Sequence, residues 1–124
     1  MFNEIVLEHF RNPHNAGELA SANATVEVTN PVCGDILRLS ARVEGNSIVE
    51  IRFKAQGCVA AMAAGSVLTD LLAGKLKEQA HEITAEFISR SLGGLPPASF
   101  HAAQLGLDGV AALLRKFPGA PMHP

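Results

Sequence analysis

The strongest signal along the chain is a two-residue alternation of apolar and polar positions in its first half. It runs through residues 37–43 and 49–55, with apolar positions at Leu37, Leu39, Ala41, Val43, Val49, Ile51, Phe53 and Ala55. Such alternation is typical of strands that bury one face. Turn-forming residues 44–47 join the two segments, which predicts an antiparallel hairpin with one polar face. Residues 25–28 alternate more weakly.

Helical patterns lie on both sides of the hairpin. Residues 4–11 predict a short amphipathic helix that ends before Pro13, because the residue that precedes a proline avoids the helical region. Residues 59–73 are apolar nearly all round and predict a buried helix that is capped by Gly74. Residues 75–92 indicate one or two short helices.

The final third of the chain predicts one more helix. This last helix is expected to begin near Ser99 as its N-cap. A short helix that precedes it has Thr84 as its candidate start. The apolar stripe of the last helix predicts the face that turns to the core: Ala103, Leu107, Val110, Leu114 and Phe117. Residues 118–121 are expected to end this helix. No repeat or linker marks a second domain, so residues 1–124 are expected to form one.

Composition narrows the classes of function. The 124 residues are 48% hydrophobic and 18% charged, which is typical of a compact globular chain and argues against disorder. The net charge is −2 without a basic block, and the chain contains neither Trp nor Tyr, which disfavours a nucleic-acid or anionic-membrane surface. The chain shows no secretory signal and no apolar stretch long enough for a bilayer, so a cytoplasmic location is expected.

The hairpin is expected to bring the two cysteines of the chain together. Pairing buried positions with buried positions sets Val43 against Val49 and, continued outward, Gly34 against Cys58. The alternative register, with a two-residue loop, sets Cys33 directly against Cys58. Cys58 also precedes the buried helix, whose N-terminal amides are expected to favour the thiolate and make this thiol reactive.

Two further donors accompany the thiols. Asp35 follows Cys33 by two residues, and His101 lies in the first turn of the last helix. Two thiolates, an imidazole and a carboxylate are an adequate set for zinc, or for a cluster iron that tolerates non-cysteine ligands. The residues alone leave inert thiols, a disulfide and a catalytic thiol paired with His101 as alternatives. The remaining histidines have no evident partner and are expected at the surface: His9, His14, His81 and His123.

Four separated segments resemble the IscU/NifU/SufU family of iron–sulfur cluster assembly scaffolds. Residues 8–17, EHFRNPHNAG, resemble the family's helix and Asn-Pro-x-Asn-x-Gly entry. Residues 32–35, VCGD, resemble its Cys-Gly-Asp motif, and residues 53–58, FKAQGC, its Phe-Lys-x-x-Gly-Cys motif. Residues 95–97 resemble its Leu-Pro-Pro segment. The order and spacing of the four segments agree over nearly the whole chain, which makes the resemblance specific.

The resemblance implies an α+β fold in which a three-stranded antiparallel sheet packs against four to five helices. It implies that Cys33, Asp35, Cys58 and His101 hold a [2Fe-2S] cluster or Zn²⁺. The implied role is that of a scaffold or carrier rather than an enzyme. The implied partners are a cysteine desulfurase, which supplies sulfur, and the iron–sulfur acceptor proteins that receive the cluster.

Two departures from the family pattern change what the resemblance implies. The family has a third cysteine directly after the histidine, assigned as a ligand and as the persulfide acceptor, whereas this chain has Ala102. After Leu-Pro-Pro many members have Val-Lys, whereas this chain has Ala98 and Ser99. The second departure weakens the expectation that an Hsp70-type chaperone assists cluster release.

Three hypotheses are consistent with these residues. The first is a divergent cluster scaffold or carrier. The second is a zinc-bound sulfur acceptor for a desulfurase, in which Cys58 or Cys33 acts as the nucleophile. The third is a paralogue without an assembly role, which keeps the fold as an interaction module or a redox disulfide. A homodimer around a shared cluster would supply four cysteines and offset the missing one.

Overall fold

The computed structural model describes residues 2–117 of the chain. Within that range lie three strands and five α-helices: β1 Ala24–Thr29, β2 Ile36–Glu44, β3 Ser47–Gln56, α1 Glu4–Arg11, α2 Val59–Leu72, α3 Lys77–His81, α4 Ala85–Ser91 and α5 His101–Leu114. A short 3-10 helix, Pro97–Ser99, precedes α5. The strands form one antiparallel sheet in the order β1-β2-β3. The expected α+β fold is therefore confirmed.

The β2–β3 hairpin contains both of the registers that the sequence left open. From Arg42 opposite Glu50 outward, the ladder follows the register expected for a three-residue loop. Nearer the turn the pairing shifts by one residue, and Val43 faces Ile48 instead of Val49. The prediction that Val49 faces the core is wrong, because Val49 is 38% exposed and Ile48 is fully buried.

A β-bulge between β2 and β3 is the physical reason for this shift. The chain reverses in two residues, Gly45 and Asn46, and Gly45 has φ +59°, a left-handed conformation that glycine adopts at little cost. The strand register that the two-residue turn sets differs by one residue from the register of the outer ladder. The bulge places one extra residue in β3 and so joins the two registers. Alternation could not reveal it, because Ile48 and Val49 are both apolar.

Two helices cover one face of the sheet. α2 contacts β3, α5 contacts β1 and β2, and the two helices contact each other. The close approach of α2 to the sheet depends on Gly65, where a Cβ atom would lie 2.4 Å from Cδ2 of the buried Phe53 ring. No helix within residues 2–117 combines the length and the apolar composition that a membrane crossing requires.

The last helix begins later than expected. α5 starts at His101 with Phe100 as its N-cap, and Ser99 lies in the preceding 3-10 helix. The prediction of Ser99 as N-cap is wrong because the rigid ring of Pro97 starts a tighter turn first. In that turn the Ser99 N–H donates to the Pro96 carbonyl at 2.8 Å.

The other helix boundaries follow the sequence closely. Thr84 caps α4 and accepts a hydrogen bond from the Phe87 N–H at 3.0 Å. Gly74 follows the C-cap residue of α2. The predicted α5 stripe faces the core, with every member buried except the half-buried Leu107. The expected end of that helix, residues 118–121, lies outside the described residues.

The loop between α1 and β1 covers the free edge of β3. The Phe53 N–H donates to the Asn15 carbonyl at 2.9 Å, and the Gly17 N–H donates to the Phe53 carbonyl at 2.8 Å. Asn15 has φ +55°, a conformation that asparagine tolerates better than most residues. Pairing with an edge strand fixes the position of this loop and protects the edge.

We expect Gly65→Ala to lower the free energy of unfolding by about 1–3 kcal/mol, because overpacking a filled core costs that much. Gly106→Ala on α5 is the matched control, since its new Cβ would meet only the ends of the Ile88 and Leu68 side chains, at 3.3 and 3.8 Å. Equilibrium unfolding in urea measures both variants. Equal losses of stability in the two would contradict the close approach of α2 to β3.

Asn46 connects the hairpin turn to α3. Its side-chain amide donates to both carboxylate oxygens of Glu78, at 2.6 and 2.7 Å, and its carbonyl accepts from the Lys77 N–H at 2.8 Å. The hydrogen bonding from Asn46 lowers the pKa of Glu78 below its ordinary value. A carboxylate of this kind stabilises the fold above its unfolded-state pKa, and the contribution is lost as the pH falls through the folded-state pKa.

We therefore expect Glu78→Gln to lower the free energy of unfolding at about pH 7 and to have a smaller effect at about pH 3, where the unfolded-state carboxyl is already protonated and the folded-state contribution is being lost. Urea unfolding at the two pH values measures the difference. Glu82→Gln, at a nearby exposed glutamate, is the control. An identical loss at both pH values would show that the charge of Glu78 is not involved.

Candidate metal centre

The four candidate ligands meet at one end of the hairpin, just beyond its last β2–β3 pair. Cys33 lies in the turn between β1 and β2, and Asp35 directly precedes β2. Cys58 is the N-cap of α2, and His101 is the first residue of α5. Three separate parts of the chain therefore contribute to one site.

The distances among the four side chains are short. Ligand-type atoms of Cys33, Asp35 and His101 all lie within 4.8 Å of one another. Cys58 Sγ lies 3.4 Å from Asp35 Oδ2 and 3.8 Å from His101 Nε2. Asp35 Oδ2 and His101 Nε2 are 3.6 Å apart. Both cysteines are exposed free thiols, so the structure contains no Cys33–Cys58 disulfide. The structure therefore places Asp35 and His101 close to both cysteines.

Asp35 is held in place by its backbone and by a glycine beside it. Its carbonyl accepts from the Asn30 N–H at 2.8 Å, and the Asn30 side chain accepts from the N–H groups of Val32 and Cys33. A Cβ at Gly57 would lie 2.3 Å from Asp35 Oδ1. The carboxylate of Asp35, whose side chain is only 8% exposed, thus occupies space that any other residue at position 57 would fill.

His101 is oriented by a hydrogen bond on the far side of its ring. Nδ1 lies 3.2 Å from the Ala98 carbonyl, which can only accept, so Nδ1 carries a proton. In the neutral ring the Nε2 lone pair then points towards Asp35 and Cys58. A histidine that donates one ring N–H to a carbonyl and offers the other nitrogen is arranged as metal-ligating histidines are.

Cys58 does not have the lowered pKa that its place before a helix predicted. Partial burial of the Sγ atom raises the pKa of this thiol, and the Asp35 carboxylate raises it further as a hydrogen-bond acceptor and as a negative charge. The amides of Ala61 and Ala60 act in the opposite direction but do not outweigh these effects. The prediction of a favoured thiolate is wrong for the metal-free protein, because it counted the helix amides but not the burial of the thiol or the negative charge of Asp35 beside it.

The donor set fits a metal ion or the iron of a cluster. Ionised Asp35 and the Nε2 atom of neutral His101 present only lone pairs, and lone pairs that face each other at this distance repel. A cation among them removes the repulsion, and sulfur, imidazole and carboxylate ligands are those that Zn²⁺ accepts. Cluster iron takes thiolates and, in some proteins, imidazole.

Ala102, which stands where the resemblance leads one to expect a cysteine, lies in the core. It directly follows His101 in the first turn of α5 and is fully buried. This position therefore contributes packing to the interior and no ligand to the site. The candidate site has two sulfur donors from one chain.

The sequence missed a second group of polar side chains, which lie on α1, on the loop that follows it and on α2. His9 Nδ1 lies 2.7 Å from Ser66 Oγ, His14 Nδ1 lies 2.5 Å from Asp70 Oδ2, and the two imidazole rings are 4.7 Å apart. Burial, followed by the nearby His14, lowers the pKa of His9. The prediction that His9 and His14 have no partners is wrong. Their partners are more than fifty residues away, and no local pattern could have revealed them.

Comparison with known proteins decides the family. The family model described as NifU-like N terminal domain matches residues 1–123. The chain belongs to the NifU-like N-terminal domain family. A relative in Archaeoglobus fulgidus, named iron-sulfur cluster assembly scaffold protein IscU 1, is 38% identical over 110 residues, which cover 89% of this chain and 72% of that protein. A relative in Aquifex aeolicus, named iron-sulfur cluster assembly scaffold protein IscU, is 39% identical over 118 residues, 94% of this chain and 75% of that protein.

Solved structures agree with the NifU-like fold. A putative iron-sulfur cluster assembly scaffold protein for the SUF system, from Fervidobacterium islandicum AW-1, superposes with a TM-score of 0.75 at 20% identity, covering 91% of this chain and 96% of that one. The N-terminal part of a NifU-like protein from Brucella abortus superposes with a TM-score of 0.76 at 18% identity, covering 96% and 95%. At these identities the likeness concerns the fold alone.

We expect Asp35→Asn to lower the pKa of Cys58, because the substitution removes the charged acceptor that stabilises the thiol form. The rate of alkylation against pH, measured in a Cys33→Ser background so that only Cys58 reacts, gives this pKa. Asp70→Asn is the matched control, at an exposed aspartate near the other end of α2. A pKa that rises or stays constant in Asp35→Asn would contradict the contact between Asp35 and Cys58.

Proposed function

We propose that the chain is an iron–sulfur cluster scaffold or carrier, which binds a [2Fe-2S] cluster or Zn²⁺ and passes clusters to acceptor proteins. The observation that carries the proposal is the convergence of Cys33, Asp35, Cys58 and His101. The names of relatives at 38% and 39% identity support it. The role is binding and transfer of a cargo rather than catalysis.

The position of the site suits a cargo that must leave again. Both thiols are exposed, and Val32 beside Cys33 is 94% exposed, so an acceptor protein can approach the ligand turn directly. Only two ligands are thiolates, and the ligand set therefore carries less negative charge than one with three. Replacement of thiolate by imidazole raises the potential of a cluster. We propose that a cluster here is held less firmly than by three or four cysteines.

Because one chain has only two thiolates, the proposal extends to the oligomeric state, and it also names partners. Two chains that share one cluster would supply four cysteines, which makes a homodimer part of the proposal. A cysteine desulfurase is the proposed sulfur source, and iron–sulfur acceptor proteins are the proposed recipients. Ala98 and Ser99, where many family members have Val-Lys, argue against a strong dependence on an Hsp70-type chaperone.

The exposure of Cys33 favours a second candidate, a zinc-bound sulfur acceptor. Cys33 lies in an exposed turn outside the sheet, where the persulfide of a desulfurase can reach it. In that reaction the Cys33 thiolate attacks the terminal sulfur of the persulfide, a new S–S bond forms, and the desulfurase thiolate leaves. No external oxidant or reductant is required.

We expect protein purified and reconstituted without oxygen to contain iron and acid-labile sulfide in equal amounts. Cys33→Ser, Cys58→Ser and His101→Asn should each lose most of both, because each removes a ligand. His81→Asn is the matched control, since His81 is exposed on α3 away from the site. Metal and sulfide analysis with a visible spectrum provides the measurement.

The outcomes separate the candidates. Zinc without sulfide, together with a persulfide on Cys33 after incubation with a desulfurase and free cysteine, would replace the scaffold by the sulfur acceptor. The absence of metal after reconstitution would overturn both and leave a paralogue without assembly chemistry. Equal iron and sulfide contents in His101→Asn and His81→Asn would remove His101 from the ligand set.

A further inference from the structure

A second group of metal-binding side chains lies away from the two cysteines. One ring nitrogen from each of His9 and His14 and one carboxylate oxygen of Asp70 lie within 4.8 Å of one another. His9 comes from α1, Asp70 from α2, and His14 from the loop that follows α1. Two imidazoles and one carboxylate form the donor set that holds ferrous iron in many non-haem sites, and imidazole also suits zinc, cobalt and nickel.

Ser66 positions both histidines from the interior. Its hydroxyl is fully buried, accepts from the His14 backbone N–H at 2.8 Å and lies 2.7 Å from His9 Nδ1. A hydroxyl can donate or accept, so it suits either tautomer of His9. In the tautomer whose Nδ1 donates to Ser66, His9 Nε2 has a free lone pair for a metal ion. A polar partner on the other nitrogen then fixes the ring, as in established metal sites.

The loop that carries His14 is also fixed. The amide of Asn15 donates to Thr69 Oγ1 at 3.1 Å and to Asp70 Oδ1 at 3.4 Å. The backbone of the same loop pairs with Phe53 on the edge strand β3. The three ligands thus come from two helices and a loop that are held together before any ion binds, which lowers the cost of binding.

The charge around this group favours a cation. His9 and His14 line a shallow recess with Glu4, Ile5 and Glu8. Arg11 lies 3.5 Å from Glu4 and 3.8 Å from Glu8 and offsets part of their charge. With Asp70, three carboxylates and one guanidinium surround the two imidazoles, and the balance is negative when the histidines are neutral.

We infer that His9, His14 and Asp70 form a second site, for a divalent first-row transition-metal ion such as Fe²⁺, Co²⁺ or Zn²⁺. The ion takes the place of the proton between His14 Nδ1 and Asp70. In a neutral ring that proton moves to His14 Nε2, and in an imidazolium ring one proton is released to solvent. Ligand atoms about 2.1 Å from an octahedral ion lie about 3.0 Å apart, slightly further than His14 Nδ1 and Asp70 Oδ2 do now. The His14 and Asp70 side chains are 49% and 42% exposed and can separate by that amount.

The two sites lie on the same helix and are distinct. Ser66 and Asp70 follow Cys58 by eight and twelve residues. At 1.5 Å per residue this is about 12 to 18 Å along α2, too far for one ion to contact both groups. The second site does not rest on the proposed cluster function, because no thiol contributes to it.

Metal titration of a chain without the first site tests the inference. In the triple variant Cys33→Ser, Cys58→Ser, His101→Asn, calorimetry with Co²⁺ or Zn²⁺ should show one bound equivalent. Adding His14→Asn or Asp70→Asn should abolish it, and adding Ser66→Ala should weaken it about 10- to 100-fold. Adding His81→Asn, the matched control, should leave it unchanged.

A second measurement uses the unaltered chain. Paramagnetic Co²⁺ should broaden the imidazole NMR signals of His9 and His14, whereas that of His81 should stay sharp at one added equivalent per site. Thermal unfolding of each variant shows that it is folded. No bound equivalent in the triple variant, equal affinity in the Asp70→Asn and His81→Asn backgrounds, or equal broadening of all three histidines would each overturn the inference.

Discussion

The backbone ladder between β2 and β3 is the constraint on which the candidate metal centre depends. Its last pair leaves Asp35 and Gly57 side by side where both strands end. Because Gly57 has no side chain, the Asp35 carboxylate fills the space beside it and reaches Cys58 at the start of α2. Backbone pairing sets the distance, and the glycine opens the volume. A hairpin with the same pattern but a side chain at position 57 would displace the carboxylate from the thiol.

This arrangement changes the electrostatics of the candidate site. A buried carboxylate, a thiol and the lone pair of His101 converge on one point, and the first consequence is a Cys58 pKa that is raised rather than lowered. The carboxylate, the thiolate form of Cys58 and the Nε2 lone pair of His101 all present electron density to the same point, so the arrangement favours a cation there. The helix amides at Cys58 become useful once the thiol has lost its proton to a metal.

α2 is the element that both groups of polar side chains share. It supplies Cys58 at its N-cap, and Ser66 and Asp70 in later turns, while most of the helix is buried. Gly65 allows α2 to approach the ring of Phe53 closely. The backbone of Phe53 forms hydrogen bonds with the loop that carries His14. Packing of one apolar helix on one strand therefore positions polar groups at both ends.

The sequence by itself determined the hairpin and the buried helix, because alternation and short loops are local properties. It also predicted that the hairpin carries Cys33 and Cys58 to the same end. Its motifs, through the resemblance they carry, also indicated His101. Only the tertiary structure decided the bulge beside Val49, the pKa of Cys58 and the grouping of His9 with distant partners. A bulge between two apolar residues leaves the pattern unchanged, and burial and long-range contacts exist only after the chain has folded. Local periodicity therefore fixed the elements, and packing fixed their chemistry.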